Sequence, residues 1–257
     1  MFILNAKPYM KAWNKRIINE NLANKHIPLT KKQAYDIQYF YEKSSKSDLL
    51  GWKIAATSVE GQKHIGVDGP IAGRLIRERF YNSGSSVSIK SNQMKVVEAE
   101  FAFKLLRDIY PRSLEYSIKD VTENIESVYP AIEIPDSRFL DFHKIGANLL
   151  IADNACAGDY VLGSNFKNSF REIDFINFKV NCYKNNKLAE EGVGSNVLGS
   201  PLLALKWFIN EMKELKINLK KGQIILTGTS IKPLLVEVGD QIKMDFGKIG
   251  SVSCNLT

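Results

Sequence analysis

The sequence predicts an α+β chain: a helical N-terminal region, residues 1–48, followed by a strand-rich body, residues 49–257, into which helices are inserted. Three observations lead there. Residues 11–44 read as helical, and the polar stretch KSSKSD closes that region. From residue 51 on, short alternating runs are separated by glycines at 61, 66, 69 and 73. Only SIKDVTENIESV and SPLLALKWFINEMKEL later return to a helical period. A chain of 257 residues has ample length for a core, as one large domain or two small ones.

The elements follow in order. LTKKQAYDIQYFYEK starts with Thr30 as N-cap and Gln33 three residues on, a capping box, and then sets Ala34, Ile37 and Tyr41 on one face. GWKIAATS, SVSIK, MKVVEAEFAFKLL and YPAIEIPDSRF are strand-like. SIKDVTENIESV spaces Ile118, Val121, Ile125 and Val128 as a helix does. SPLLALKWFINEMKEL has Ser200 as N-cap and Pro201 at the first helical position. QIILTGT is a strand, and the C-terminal DQIKMDFGKIGSVSCNLT alternates around Gly247 and Gly250 as a hairpin would.

Composition narrows the class. The chain is 44% hydrophobic and 25% charged, ordinary values for a soluble globular protein. Its N-terminus has no apolar stretch long enough for a signal peptide, and no run approaches the ~20 apolar residues that span a bilayer. Cys156, Cys182 and Cys254 are few, odd in number and widely spaced, which argues against a disulfide framework or a cysteine zinc site. The expected setting is a reducing cytoplasm. The net charge of +7 comes from scattered lysines, the longest clusters being pairs such as Lys31-Lys32. With no nucleic-acid-binding signature, this reads as a solvated surface with a bias toward small anions.

VVEAEFAF poses the chemical question. On a strand, Glu98, Glu100, Ala102 and Lys104 share one face, and Val97, Ala99, Phe101, Phe103 and Leu105 share the other. On a helix the two glutamates would point about 200° apart. Either the acidic face is solvated, or a cation sits against it, because an unpaired buried carboxylate is costly. YPAIEIPDSRF supplies another carboxylate, Glu133, between apolar residues with strand alternation. Three carboxylates on neighbouring strands repel one another, and a divalent ion removes that repulsion. Oxygen ligands suit Mg²⁺ or Mn²⁺ rather than zinc or copper. His26, His64 and His143 show no metal-ligand spacing.

These stretches, together with HIGVDGPIAG, IADNACAGDYVLG, GVGSNVLGSPLLALKWF and ILTGTSIKPLLVEVGD, resemble the hydratase and decarboxylase branch of the fumarylacetoacetate hydrolase superfamily. The resemblance implies a mixed, rolled β-sheet with a metal near its open end. It implies Glu98, Glu100 and Glu133 as ligands of Mg²⁺ or Mn²⁺, with Asp136 the rival for the third place. It implies Lys53 as a catalytic residue that holds a substrate carboxylate or moves a proton, the latter suiting a desolvated lysine of lowered pKa. Asp68 either orients Lys53 or a water, or forms a turn. Cys156 and Thr229 are the expected substrate-binding residues, Cys156 as a stand-in for a serine or as an inert buried thiol, Thr229 through its hydroxyl.

The reaction so implied is metal-dependent addition of water to a 2-hydroxy-2,4-dienoate or 2-oxo-alkenoate through a metal-stabilised enolate. The alternatives are decarboxylation of a 2-oxo-enedioate on the same site, a non-catalytic metal- or ligand-binding member, and, ranked lower, carbon–carbon hydrolysis with His64 as the nearby histidine. The implied partners are a small anionic 2-oxo acid and further copies of the chain in a homo-oligomer, with no nucleic acid and no membrane. Two departures bear on substrate and reaction: Ile71 stands where family hydratases commonly carry an acid, and Cys156 where they commonly carry a serine.

Overall fold

The N-terminal region has helices over Lys7–Lys15 and Lys31–Ser44, and residues 16–19 and 27–30 between them are not helical, a correction to the helical reading of 11–44. The computed structural model describes residues 6–19, 22, 27–166 and 170–257; His26 lies outside them. Helix α1 (Lys7–Lys15) stops at Arg16, whose φ of 51° is left-handed and cannot continue a right-handed helix. Pro28 disfavours helix for the residue before it. Helix α2 (Lys31–Ser44) then starts on Thr30, whose hydroxyl accepts the Gln33 N–H at 3.2 Å. The Gln33 side chain reaches the Leu29 N–H at 2.8 Å, one residue earlier than a standard capping box. Ala34, Ile37 and Tyr41 are buried, as their spacing requires.

The body continues with β1 (Gly51–Ala55), α3 (Val59–Ile65), β2 (Ile71–Leu75), β3 (Phe80–Asn82), β4 (Ser86–Val87) and β5 (Val96–Leu105). Next come α4 (Ile118–Glu123), β6 (Ile125–Ile134), α5 (Ala147–Ala152), β7 (Asp159–Leu162), β8 (Lys179–Lys184) and β9 (Lys187–Val193). The chain ends with α6 (Pro201–Glu214), β10 (Ile224–Thr229), β11 (Leu234–Leu235), β12 (Gln241–Asp245) and β13 (Ser251–Leu256). SIKDVTENIESV is helical only through Glu123: Ser117 and Asp120 close a reciprocal cap, and Ile125 and Val128 pair with β5 instead. Pairing across strands there outweighs local periodicity.

One sheet has the order β2-β1-β10-β5-β6-β7-β3, with β11 alongside β5. Its β1/β10 and β3/β7 pairs are parallel, and its other pairs antiparallel. A second sheet runs β4-β13-β12-β8-β9. The first sheet is buried on both faces. Trp52, Ile54, Val97, Ala99, Phe101 and Phe103 join the main core, where Phe101 meets Phe175, Phe178 and Phe246 edge-on. Leu75, Ala102, Ala131, Tyr160, Leu162, Ile224 and Leu226 form a second cluster on the other face. Leu75 and Tyr160 lie on strands far apart in the sheet order, so they meet only because the sheet curls. The Tyr160 hydroxyl, donating to the Ile76 carbonyl at 2.9 Å, ties the curl.

The N-terminal helices belong to the main core. The Trp13 ring meets the guanidiniums of Arg79 (4.9 Å) and Arg138 (4.6 Å) and packs edge-on against Tyr41. Arg138 follows the strand that carries Glu133, so this contact braces the site from outside. Trp13→Ala is expected to lower unfolding free energy by about 3–5 kcal/mol, the cost of emptying a buried aromatic site. Denaturant titration checks this; an unchanged midpoint would detach α1 from the fold's stability.

Candidate metal centre and active site

Antiparallel pairing sets Glu98 opposite Glu133 and Glu100 opposite Ala131, while Glu100 faces Thr229 of β10 on its other side. Period two then turns Glu98, Glu100 and Glu133 to the inner face of the curl. One oxygen from each of the three carboxylates lies within 4.8 Å of the others. Glu100 and Glu133 are buried, and Glu98 is half-buried. Glu100 Oε2 accepts the Gly228 N–H at 2.8 Å. Gly228 has a φ of +97°, and a Cβ there would lie 2.1 Å from the Thr57 hydroxyl, so only glycine can aim that N–H. Glu100 Oε1 and both Glu133 oxygens have no hydrogen-bond donor.

Lys53 enters from β1, on the face opposite Trp52 and Ile54, and is 2% exposed. Its Nζ lies 3.0 Å from Glu133 Oε1, an ion pair by distance without hydrogen-bond alignment. Its directed hydrogen bond goes to the Ala155 carbonyl at 3.0 Å. Burial, then the Glu133 charge, pushes the Glu98 carboxyl up to about 7 against the pull of Lys53. Burial, then Glu133 and Glu98, raises Glu100 well above the carboxylate range. Burial disfavours the Lys53 ammonium, but Glu133, Glu98 and Glu100 outweigh it and raise its pKa. The surrounding carboxylates thus favour the charged ammonium.

The remaining expected residues are placed unevenly. Cys156 is buried near Lys53, and burial, then Asp153, pushes its thiol up to about 12, so it is a neutral thiol. Thr229 adjoins Glu100, but its hydroxyl donates to the Ile231 carbonyl at 2.9 Å. Asp68 lies at an exposed bend between α3 and β2, with no hydrogen bond or ion pair to Lys53 or the three glutamates. Asp136 stands outside the cluster and accepts the Gln93 N–H at 2.8 Å. Ile71 is buried across from Ala55, on the Lys53 face of the β1–β2 pair. His64 is exposed and stacks edge-on against Phe142. Two groups at the site are main-chain atoms, the Gly228 N–H and the Ala155 carbonyl, which residue type does not announce.

An all-carboxylate donor set with undonated buried oxygens fits a hard divalent cation. Fold and site together define a metal-dependent enzyme on a curled mixed sheet. The family model for the fumarylacetoacetate (FAA) hydrolase C-terminal domain matches residues 75–257. A 2-hydroxyhexa-2,4-dienoate hydratase of Comamonas testosteroni is 31% identical over 242 residues, covering 92% of this chain and 90% of that one. A 4-oxalocrotonate decarboxylase of Pseudomonas putida is 28% identical, covering 90% and 88%. The solved structure of 4-oxalocrotonate decarboxylase from Pseudomonas putida G7, complexed with magnesium and adipate, superposes with a TM-score of 0.87 at 26% identity, covering 98% and 95%. The chain belongs to the fumarylacetoacetate hydrolase family. Among the described residues no helix is long and apolar enough to cross a membrane.

Saturating Mg²⁺ is expected to raise the melting temperature, by the equivalent of about 2.7 kcal/mol at a hundredfold excess over Kd. EDTA should reverse the rise, and Glu133→Gln should abolish it. A Glu133→Gln protein that keeps the full shift would place the ion elsewhere.

Proposed function

We propose that the chain is a divalent-metal-dependent lyase that adds water to a 2-hydroxy-2,4-dienoate or its 2-oxo-alkenoate form. The observation that carries this reading is the trio of carboxylates with undonated oxygens beside one buried ammonium. In it, Glu98, Glu100 and Glu133 hold Mg²⁺ or Mn²⁺. The ion supplies a Lewis acid for negative charge developing on the substrate's 2-oxo oxygen. Lys53 binds the substrate carboxylate or transfers a proton at Nζ. Cys156 and the Thr229 hydroxyl line the substrate, Thr229 after releasing Ile231. Asp68, at its exposed bend, is the residue assigned to orient Lys53 or a water. The hydratase relative of Comamonas testosteroni supports the choice of reaction.

The second reading, decarboxylation of a 2-oxo-enedioate, is favoured by the superposition on a decarboxylase bound to magnesium and a dicarboxylate. Ile71 presents an alkyl group on the Lys53 face, so any acid that water addition requires must come from elsewhere. The setting we propose is cytoplasmic breakdown of aromatic compounds by a homo-oligomer, in keeping with three buried free cysteines.

Incubation with 2-hydroxypenta-2,4-dienoate and Mg²⁺ should bleach the dienoate absorbance, and EDTA should stop it. Release of carbon dioxide from 2-oxohex-3-enedioate, without bleaching of the dienoate, would select the decarboxylase. Inertness toward both compounds and their dicarboxylic relatives would defeat the lyase reading.

A further inference from the structure

The chain between α5 and β7 holds a feature that metal binding does not require. Asn154, Ala155 and Cys156 have φ values of 59°, 51° and 56°, so consecutive non-glycine residues sit in the left-handed region. L residues avoid that region, and such a run persists only where its surroundings over-determine it. The turn is buried throughout, with Asn154 and Ala155 at 0% exposure.

We propose that this left-handed turn is a positioning device for Lys53, with Asn154 and Gly73 as the positioning residues that set it. The importance of Lys53 rests on the function proposed above; the placement of its ammonium rests on the geometry alone.

Each carbonyl of the turn has a partner. Asn154 O accepts the Ala157 N–H at 2.9 Å, closing the turn on itself. Cys156 O accepts the Asp136 N–H at 2.9 Å, tying the turn to the segment just after Glu133. Ala155 O, between them, points at Lys53 Nζ at 3.0 Å. A right-handed backbone would not present these neighbours in the same directions.

Two anchors hold the turn. The Asn154 side chain brackets one residue of β2: its Oδ1 accepts the Arg74 N–H at 2.6 Å and its Nδ2 donates to the Arg74 carbonyl at 2.8 Å. Just before it, the Asp153 carboxylate accepts the Ser137 hydroxyl, the Arg138 N–H and Arg138 Nε. Gly73 provides the space. It pairs directly with Lys53 across β1 and β2, and a Cβ on it would lie 2.2 Å from Asn154 O. The turn therefore occupies the place that any other side chain opposite Lys53 would fill.

The arrangement answers a specific hazard. An ammonium on a flexible four-carbon stem beside several carboxylates would otherwise follow the strongest charge. A lysine has three N–H donors. Ala155 O takes one, and with the Glu133 charge 3.0 Å away it limits where the ammonium can sit beside the substrate.

The test uses Gly73→Ala, Asn154→Asp and the unaltered protein. In each, Mn²⁺ affinity is measured by calorimetry, kcat and KM by dienoate bleaching, and the Lys53 ammonium by ¹H–¹⁵N spectra of ¹⁵N-lysine protein, assigned with Lys53→Arg. The unaltered protein should show a protected Lys53 ammonium signal. Folded variants should keep Mn²⁺ affinity, lose or broaden that signal, and lose kcat/KM by about 10- to 100-fold, the scale of an ångström-sized misplacement. A merely structural turn would lower the melting temperature and leave the signal and kcat/KM of the folded enzyme alone; that result overturns the proposal. If both variants fail to fold, an unprotected Lys53 ammonium in the unaltered protein overturns it, and a protected one supports it. If the unaltered protein turns over no substrate, the lyase reading fails and the ammonium signal still decides this one.

Discussion

Mutual repulsion of carboxylates on one face of one sheet is the constraint on which this structure turns. Two like charges about 4 Å apart cost about 4 kcal/mol even at an effective dielectric of 20. Glu98, Glu100 and Glu133 sit at that scale of separation, two of them fully enclosed. One ammonium and one main-chain N–H offset only part of this. The shortfall appears as carboxyl groups that resist ionisation and oxygens left without donors. A divalent cation supplies the missing charge and the missing partners together.

The fold makes that concentration of charge possible. The outer face of the sheet packs against helices and the second sheet through Trp52, Ile54, Phe101 and Phe103, which fixes the strands firmly. The inner face is apolar below the site, with small Ala102 and Ala131 where the curl brings strands close. The carboxylates therefore rest on an apolar floor whose side chains offer them no donor. Stability lost at the site is supported elsewhere, by the Trp13 contact and the enclosed Arg138–Asp153 pair among others.

Much of this was legible in the sequence because it depends on period-two alternation. VVEAEFAF and YPAIEIPDSRF place their carboxylates on one strand face, without saying whether that face meets solvent or a cation, and GWKIAATS places Lys53 opposite Trp52 and Ile54. Strong caps were legible too, at Thr30 and Ser200. What stayed hidden depends on tertiary contacts or on main-chain atoms. The break after Lys15 is set by a left-handed arginine bonded back to its own helix, and Ile125 and Val128 leave a helical period because β5 is there to pair with. The β8–β9 hairpin turns on Asn185-Asn186, both at positive φ, a two-residue signal short enough to be lost among the chain's other polar pairs. No residue type reveals that Ala155 offers its carbonyl or that Gly228 offers its N–H. How many carboxylates reach Lys53 is likewise a tertiary matter that spacing along the chain does not give.

The most direct measurement is anomalous diffraction at the manganese edge from crystals soaked with Mn²⁺ and oxalate. A single strong peak within bonding distance of Glu98, Glu100 and Glu133, with oxalate completing its coordination beside Lys53, is the result this account requires. Carboxylates turned out toward solvent, or manganese bound only at the surface, would contradict it.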